Sequence, residues 1–215
     1  MLKVNMSALI LKNISLQYER KISRKVTLAL GAHVLPFGKV PFNGLVKQVV
    51  NDPSVPIDDF RLGSSGITPE IRWYLSKRGA FHGFYLGAFA AFNQYKTDLP
   101  IQYDNDTKTG VFNGTLKTFT GGLQLGAQWN LGRRIYLDWW IIGPNVGQGK
   151  GTLAFAGVLS PTDQDDIRQA IEDVRDDFPV DAIESYQVNS QGASIQVKGP
   201  WLGLRGMAFN LGFRF

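Results

Sequence analysis

The sequence predicts an all-β chain: an eight-stranded antiparallel transmembrane β-barrel, a single domain over residues 1–215, with one amphipathic helix in its last external loop. Three observations predict it. Apolar and polar residues alternate with a period of two over much of the chain, short and long connections alternate, and the sequence closes on aromatic or apolar residues at every second position, ending in Phe215.

The first strand, 2–10, sets Leu2, Val4, Met6, Ala8 and Ile10 against Lys3, Asn5 and Ser7. After Lys12-Asn13, strand 14–20 sets Ile14, Leu16 and Tyr18 against Ser15, Gln17 and Glu19; a basic turn leads to strand 26–36. Strands 69–77 and 82–95 flank Lys77-Arg78-Gly79, with Ile71, Trp73 and Leu75 opposite Glu70 and Arg72. Strands 117–130 and 135–143 flank Leu131-Gly132-Arg133-Arg134, and the last strand, 201–215, carries Phe209, Leu211, Phe213 and Phe215 against Asn210, Gly212 and Arg214. Eight is an even number, as a closed antiparallel ring with both ends on one side requires, and the loops at about 38–68, 96–116 and 144–200 are long where the alternate turns are short.

Composition narrows the chemistry. The chain has no cysteine and two histidines, His33 and His82, which excludes disulfides, thiolate metal sites and cysteine catalysis and leaves little for an imidazole site. The apolar parity is Leu, Ile, Val, Phe and Trp, while the other holds charged residues among Gly, Ala, Ser, Gln and Asn. A soluble ligand-binding barrel would turn its apolar parity inward; small plus charged residues suit the interior of a narrow membrane barrel, so Lys3, Glu19, Glu70, Arg72, Asp138 and Arg214 are expected as a polar network inside. Arg205 falls on the lipid-facing parity, so it lies beyond the hydrocarbon band or a bulge turns it inward.

The net charge of +5 conceals a division. Residues 161–185 carry nine acids and two bases, a net of −7, so the rest is +12; eight bases (Arg20, Lys21, Arg24, Lys25, Lys77, Arg78, Arg133, Arg134) sit in the three short turns. Their dispersal without interleaved aromatics argues against nucleic acid. The acidic stretch reads as a helix over 161–178: Ser160-Pro161 opens it, and Ile167, Ala170, Ile171, Val174 and Phe178 share a face. That stripe needs cover, either from the chain's own rim and loops or from a partner protein, so Ile167, Ile171, Val174 and Phe178 are candidates for a partner-binding face.

Lys3-Val4-Asn5 with its short first hairpin, Leu137-Asp138-Trp139-Trp140-Ile141, and Gly199-Pro200-Trp201-Leu202-Gly203-Leu204-Arg205-Gly206 resemble the Bacteroidota family of small outer-membrane barrels known as domain of unknown function 3575. More distantly, the architecture is similar to the OmpX and OmpA type of barrel. The resemblance implies an eight-stranded outer-membrane barrel and no assigned activity. The closing Phe209, Leu211, Phe213 and Phe215 resemble the signal that the barrel-assembly machinery engages. No signal peptide precedes Met1-Leu2-Lys3, so the chain reads as a mature or trimmed form whose precursor carries one.

No catalytic, cofactor or metal residues are assigned. Asp104-Asn105-Asp106 and Asp163-Gln164-Asp165-Asp166 lack calcium-loop spacing, Gly143 to Gly151 lacks the ending of a phosphate loop, and neither histidine adjoins a serine motif. The expected function is a non-enzymatic structural or interaction module in a Gram-negative outer membrane, an accessory subunit of a larger outer-membrane complex. Its partners would be outer-membrane lipid, lipopolysaccharide, the assembly machinery and a further outer-membrane protein. A small-solute pore and a lipid-modifying enzyme are the alternatives.

Overall fold

The computed structural model describes residues 1–39, 59–103, 108–177 and 182–215. Among these, nine strands and two helices follow one another as β1 (Leu2–Asn5), α1 (Met6–Ile10), β2 (Ile14–Lys21), β3 (Val26–Lys39), β4 (Arg61–Tyr74), β5 (Gly83–Tyr103), β6 (Lys108–Asn130), β7 (Ile135–Ala156), α2 (Pro161–Asp177), β8 (Ile183–Asn189) and β9 (Gly192–Phe213). The chain is all-β and antiparallel. β1 to β7 pair in sequence order, and β9 pairs with β7 on one side and β1 on the other, closing a ring of eight strands. β8 is a ninth strand that zips onto the far end of β9, from Ile183↔Val197 to Asn189↔Gly192.

Two expectations need correction. The first strand stops at Asn5: its side-chain oxygen accepts the Ala8 amide at 2.8 Å and caps α1, so Met6, Ala8 and Ile10 belong to a helical turn. α1 stays against the ring, where the Phe209 amide donates to Ser7 Oγ at 3.0 Å. The stretches 38–68, 96–116 and 144–200 are also far from being plain loops: β4 already begins at Arg61, and 40–58 lie outside the described residues. β5 and β6 run on as a hairpin to Tyr103 and from Lys108, β7 continues to Ala156, and β8 and β9 fill the last connection.

Face chemistry reverses along these long strands. In the lower part, near the three short turns, the outward positions are large and apolar: Leu28, Leu30, Ile71, Trp73, Phe84, Leu86, Leu123, Leu211 and Phe213 are all exposed. Inward positions there are buried and carry the charged and amide side chains, among aromatic residues such as Tyr74, Tyr85, Tyr136 and Trp140. Higher up, outward positions carry Thr115, Lys117, Gln148, Lys150, Thr152, Gln196 and Lys198, while Phe112, Phe155, Ala193 and Ile195 are buried on the inward side.

α2 covers that upper inward face. Ile167 and Ile171 are buried in one cluster with Phe112, Phe155, Leu159, Ala193 and Ile195. The chain's own sheet therefore occupies the face considered for a partner at those two positions, because the concave wall offers an apolar surface within reach. Val174 lies in α2 with its side chain outside the described residues, as does Phe178 altogether. At the N-terminus of α2, Ser160 N–H donates to Asp163 Oδ2 at 2.9 Å and Asp163 N–H to Ser160 Oγ at 3.2 Å, a reciprocal cap. Lys108 Nζ on β6 donates to both Asp163 oxygens at 3.0 and 3.1 Å.

The Ser160 backbone bond and Lys108 hold the Asp163 carboxyl below the usual carboxylate range. The folded chain thus favours the charged form. Its stabilising effect is complete above the ordinary carboxylate pKa and is lost as pH falls through the lowered one. Asp163→Ala is accordingly expected to speed amide exchange in α2 at pH 7, with the difference from wild type shrinking in strong acid; equal exchange at pH 7 would show that the cap does not hold the helix.

Candidate functional site

The lower lumen is closed by an ionic cluster whose charges come from β1, β2, β4, β7 and β9 and whose polar partners come also from β5 and β6. Arg72 on β4 stands at its centre: Nε donates to Glu70 Oε1 at 2.7 Å, Nη1 to Asp138 Oδ2 at 2.7 Å and to Glu19 Oε2 at 3.3 Å, and Nη2 to Gln17 Oε1 at 2.9 Å. Lys3 on β1 pairs with Glu19 and with Asp138 and donates to Gln128 Oε1 at 3.2 Å. Tyr74 and Tyr85 hydroxyls each donate at 2.8 Å, to Glu19 and Asp138. The guanidinium of Arg72 also lies 4.5 Å from the centre of the Tyr85 ring.

Strand parity explains the convergence. Glu19 sits two residues from Gln17, and Glu70, Arg72 and Tyr74 follow one another at alternate positions of β4, so each strand directs a file of polar side chains inward. A bulge adds a sixth charge. The β6–β7 register shifts between Leu125 and Gly126, and Gln124 Nε2 holds the irregularity by donating to Leu125 and Ile142 carbonyls at 2.8 and 3.1 Å. Opposite, the exposure pattern of β9 skips a beat at Arg205–Gly206 and Met207 takes a positive φ of 53°. Arg205 thereby points inward, 3.0 Å from Glu70 Oε2 and 3.7 Å above the Trp140 ring. Of the two placements open for Arg205, the bulge is the one observed.

The lumen therefore holds Lys3, Arg72 and Arg205 against Glu19, Glu70 and Asp138, opposite charges in equal number. Arg214 stands apart from this group. It follows the end of β9, is exposed, and reaches the Tyr136 hydroxyl at 3.4 Å near Phe81. Beneath the cluster, Phe81 folds from the β4–β5 turn into a buried apolar group with Met1, Tyr74, Tyr85 and Tyr136 and stoppers the lower mouth. Sequence parity alone points to Gln17 and Tyr74 as cluster members, since each shares a strand face with a neighbouring charge; Tyr85 and Gln128 lie on faces with no charge near them, and the stopper has no such signal, because Phe81 lies in a turn.

The structure gathers the basic turns at one end of the ring: 22–25, 75–82 and 131–134 join β2–β3, β4–β5 and β6–β7. Above them runs an outer band of aromatic side chains in which Trp129, Trp139 and Phe209 stack at 6.5 and 5.8 Å. Phe209, Leu211 and Phe213 face outward from β9, and Phe215, beyond its end, is exposed. His82 is in the lower β4–β5 turn, against the Ala80 carbonyl, whereas His33 pairs across to Ser15 and Gly66 well up β3, so the two share no site. Among the described residues no group of three metal-ligating side chains forms, and no helix is long and apolar enough to cross a membrane. Asp104-Asn105-Asp106 lies outside the described residues.

Residues 1–147 match the family described as Protein of unknown function (DUF3575). The chain belongs to this family. The match runs from β1 into β7; α2, β8 and β9 lie beyond it. No curated protein and no solved structure matches the chain.

Proposed function

We propose that this member of the family is an outer-membrane β-barrel of a Gram-negative bacterium, of the OmpX-like and Bacteroidota kind that its sequence resembles. It has a plugged lumen and serves as a structural or interaction module, an accessory subunit of a larger outer-membrane complex. The observation that carries this reading is the reversal of face chemistry along the strands. An outward apolar belt over a charged lumen suits a ring surrounded by lipid, and the opposite arrangement above it suits a wall standing in water. β5, β6, β7 and β9 are 21–23 residues long. A crossing needs only about 10 of these, which leaves the upper half for the wall.

The same cluster speaks against a pore. Charges that pair across the lumen fill it, while a conducting path needs them segregated along a water column. The reconstituted protein is expected to give no single-channel conductance above bilayer background and to migrate in electrophoresis differently before and after boiling, as folded barrels do. Steady open-channel currents would replace the plug by a pore; recovery of the native precursor in the soluble fraction would end the membrane reading.

A further inference from the structure

Three lysines stand in one line across the outer face of the wall. Lys117 on β6 is the cross-strand partner of Lys150 on β7, and Lys150 is the partner of Lys198 on β9. Directly paired residues on neighbouring strands have Cβ atoms about 5 Å apart, and like charges so placed repel one another. Among the described residues one carboxylate answers them: Glu184, 3.4 Å from Lys198. The next acid on that face, Asp98 on β5, accepts from Asn113 Nδ2. Lys96, two residues below Asp98 on the same strand, adds a fourth positive charge to the surroundings.

The line lies where the face chemistry turns over. Two residues below it on the same outward side are Phe119 on β6 and Phe92 on β5, paired in register with rings 4.7 Å apart, and farther down follow Val146 and Leu202, 62% and 78% exposed. An open depression of about 1210 Å³ joins the two levels; its lining includes Ile67, Phe92, Phe119, Lys117, Lys150 and Lys198. Cations above and aromatic or aliphatic groups below are what an amphiphile with an anionic head requires.

We infer that Lys117, Lys150 and Lys198 form a binding site for the phosphomonoester headgroup, net negative, of a lipid in the outer leaflet, with its acyl chains lying down the Phe92–Phe119 surface. A phosphate offers several acceptor oxygens to ammonium donors and removes the repulsion that the register imposes. A lipid is favoured over free phosphate because the apolar half of the depression would otherwise stay empty. The inference rests on the membrane-barrel reading and gives it a specific ligand class.

The test uses the folded full chain in detergent micelles doped with lipid A carrying two phosphates, with dephosphorylated lipid A or with phosphatidylethanolamine, and native mass spectrometry to count retained lipid. Phosphorylated lipid A should be retained in preference to both others. The variant Lys117→Gln/Lys150→Gln/Lys198→Gln should lose at least about tenfold of that preference, each interfacial cation being worth roughly fivefold. Restoring charge with arginine at all three positions should recover it. Boiling-dependent migration establishes that each variant is folded. Undiminished retention by the glutamine variant would overturn the site, and displacement of the lipid by an equal concentration of inorganic phosphate would overturn the commitment to a lipid. Retention of all three lipids alike would remove this inference and leave the barrel standing, whereas a chain that holds no lipid and needs no detergent to stay in solution would remove both.

Discussion

Arg72→Leu is expected to lower the stability of the folded chain by about 3–5 kcal/mol, the usual cost of removing one partner from a buried ion pair. Arg72 is fully buried and bonded to Glu70, Glu19 and Asp138 at once. Without it, three carboxylates face Lys3 and Arg205 alone in a water-poor lumen. The loss is therefore one of compensation, well beyond the lost hydrogen bonds. Urea unfolding in micelles, followed by tryptophan fluorescence, measures the change. Adding Asp138→Leu to the first substitution should recover part of it by restoring the charge balance, although Lys3 and Tyr85 then lose a shared acceptor. A cost under about 1 kcal/mol for Arg72→Leu would mean that water or counter-ions already screen the cluster, and the plugged lumen would have to be given up.

Leu123→Arg should cost about 2–4 kcal/mol if the outer face of the lower ring meets hydrocarbon, since a cation near the bilayer midplane is penalised by that much. Leu123 is 68% exposed and sits midway up the apolar belt on β6. For a protein surrounded by water the same substitution at so exposed a position would be close to neutral, within about 0.5 kcal/mol. Thr115→Arg supplies the internal comparison. It lies on the same strand and the same outward side, above the belt, and should cost no more than the repulsion from its cross-strand partner Lys96, under about 1 kcal/mol, in either case. Folding into vesicles of defined composition measures both; equal effects at the two positions would remove the hydrocarbon belt.

The lower half of the ring was legible in the sequence because the two faces of each strand differ sharply there. Leu, Trp and Phe alternate with Lys, Glu, Arg and Asp, and a two-residue period in such material has one structural meaning. The upper half hides the same period. Its outward face is threonine, glutamine and lysine, and its inward face mixes glycine with phenylalanine, so contrast falls and residues 96–116 pass for a loop. Some of those glycines are required by contact: a Cβ on Gly110 would run into the Phe155 ring, and one on Gly114 into Leu153 and Thr97. Asn5 and Arg205 defeat parity for different reasons. A short polar side chain diverts the backbone of the first strand into a helical turn, and an extra residue in the ladder reverses the facing of the last one. The ion cluster was legible in Lys3, Glu19, Glu70, Arg72 and Asp138, which parity brings to one side. Arg214 has the same parity but lies past the end of β9 at Phe213, and periodicity does not say where a strand ends.

The ring is held together very unequally. β5 pairs with β6, and β7 with β9, through 21 residue pairs each, while β1 is held to β2 by three, from Leu2↔Tyr18 to Val4↔Leu16, and to β9 by four, from Leu2↔Phe213 to Asn5↔Asn210. Capping by Asn5 sets that limit, because it turns the chain aside before a fifth residue can join. A cylinder so built has a direction of rupture. Pulled apart or thermally loosened, it opens first along the two sides of β1, and β2 to β9 then unroll as one continuous ribbon. Inside the ring Lys3 on β1 pairs with Glu19 of β2 and with Asp138 of β7, so these buried charges latch that strand from both sides.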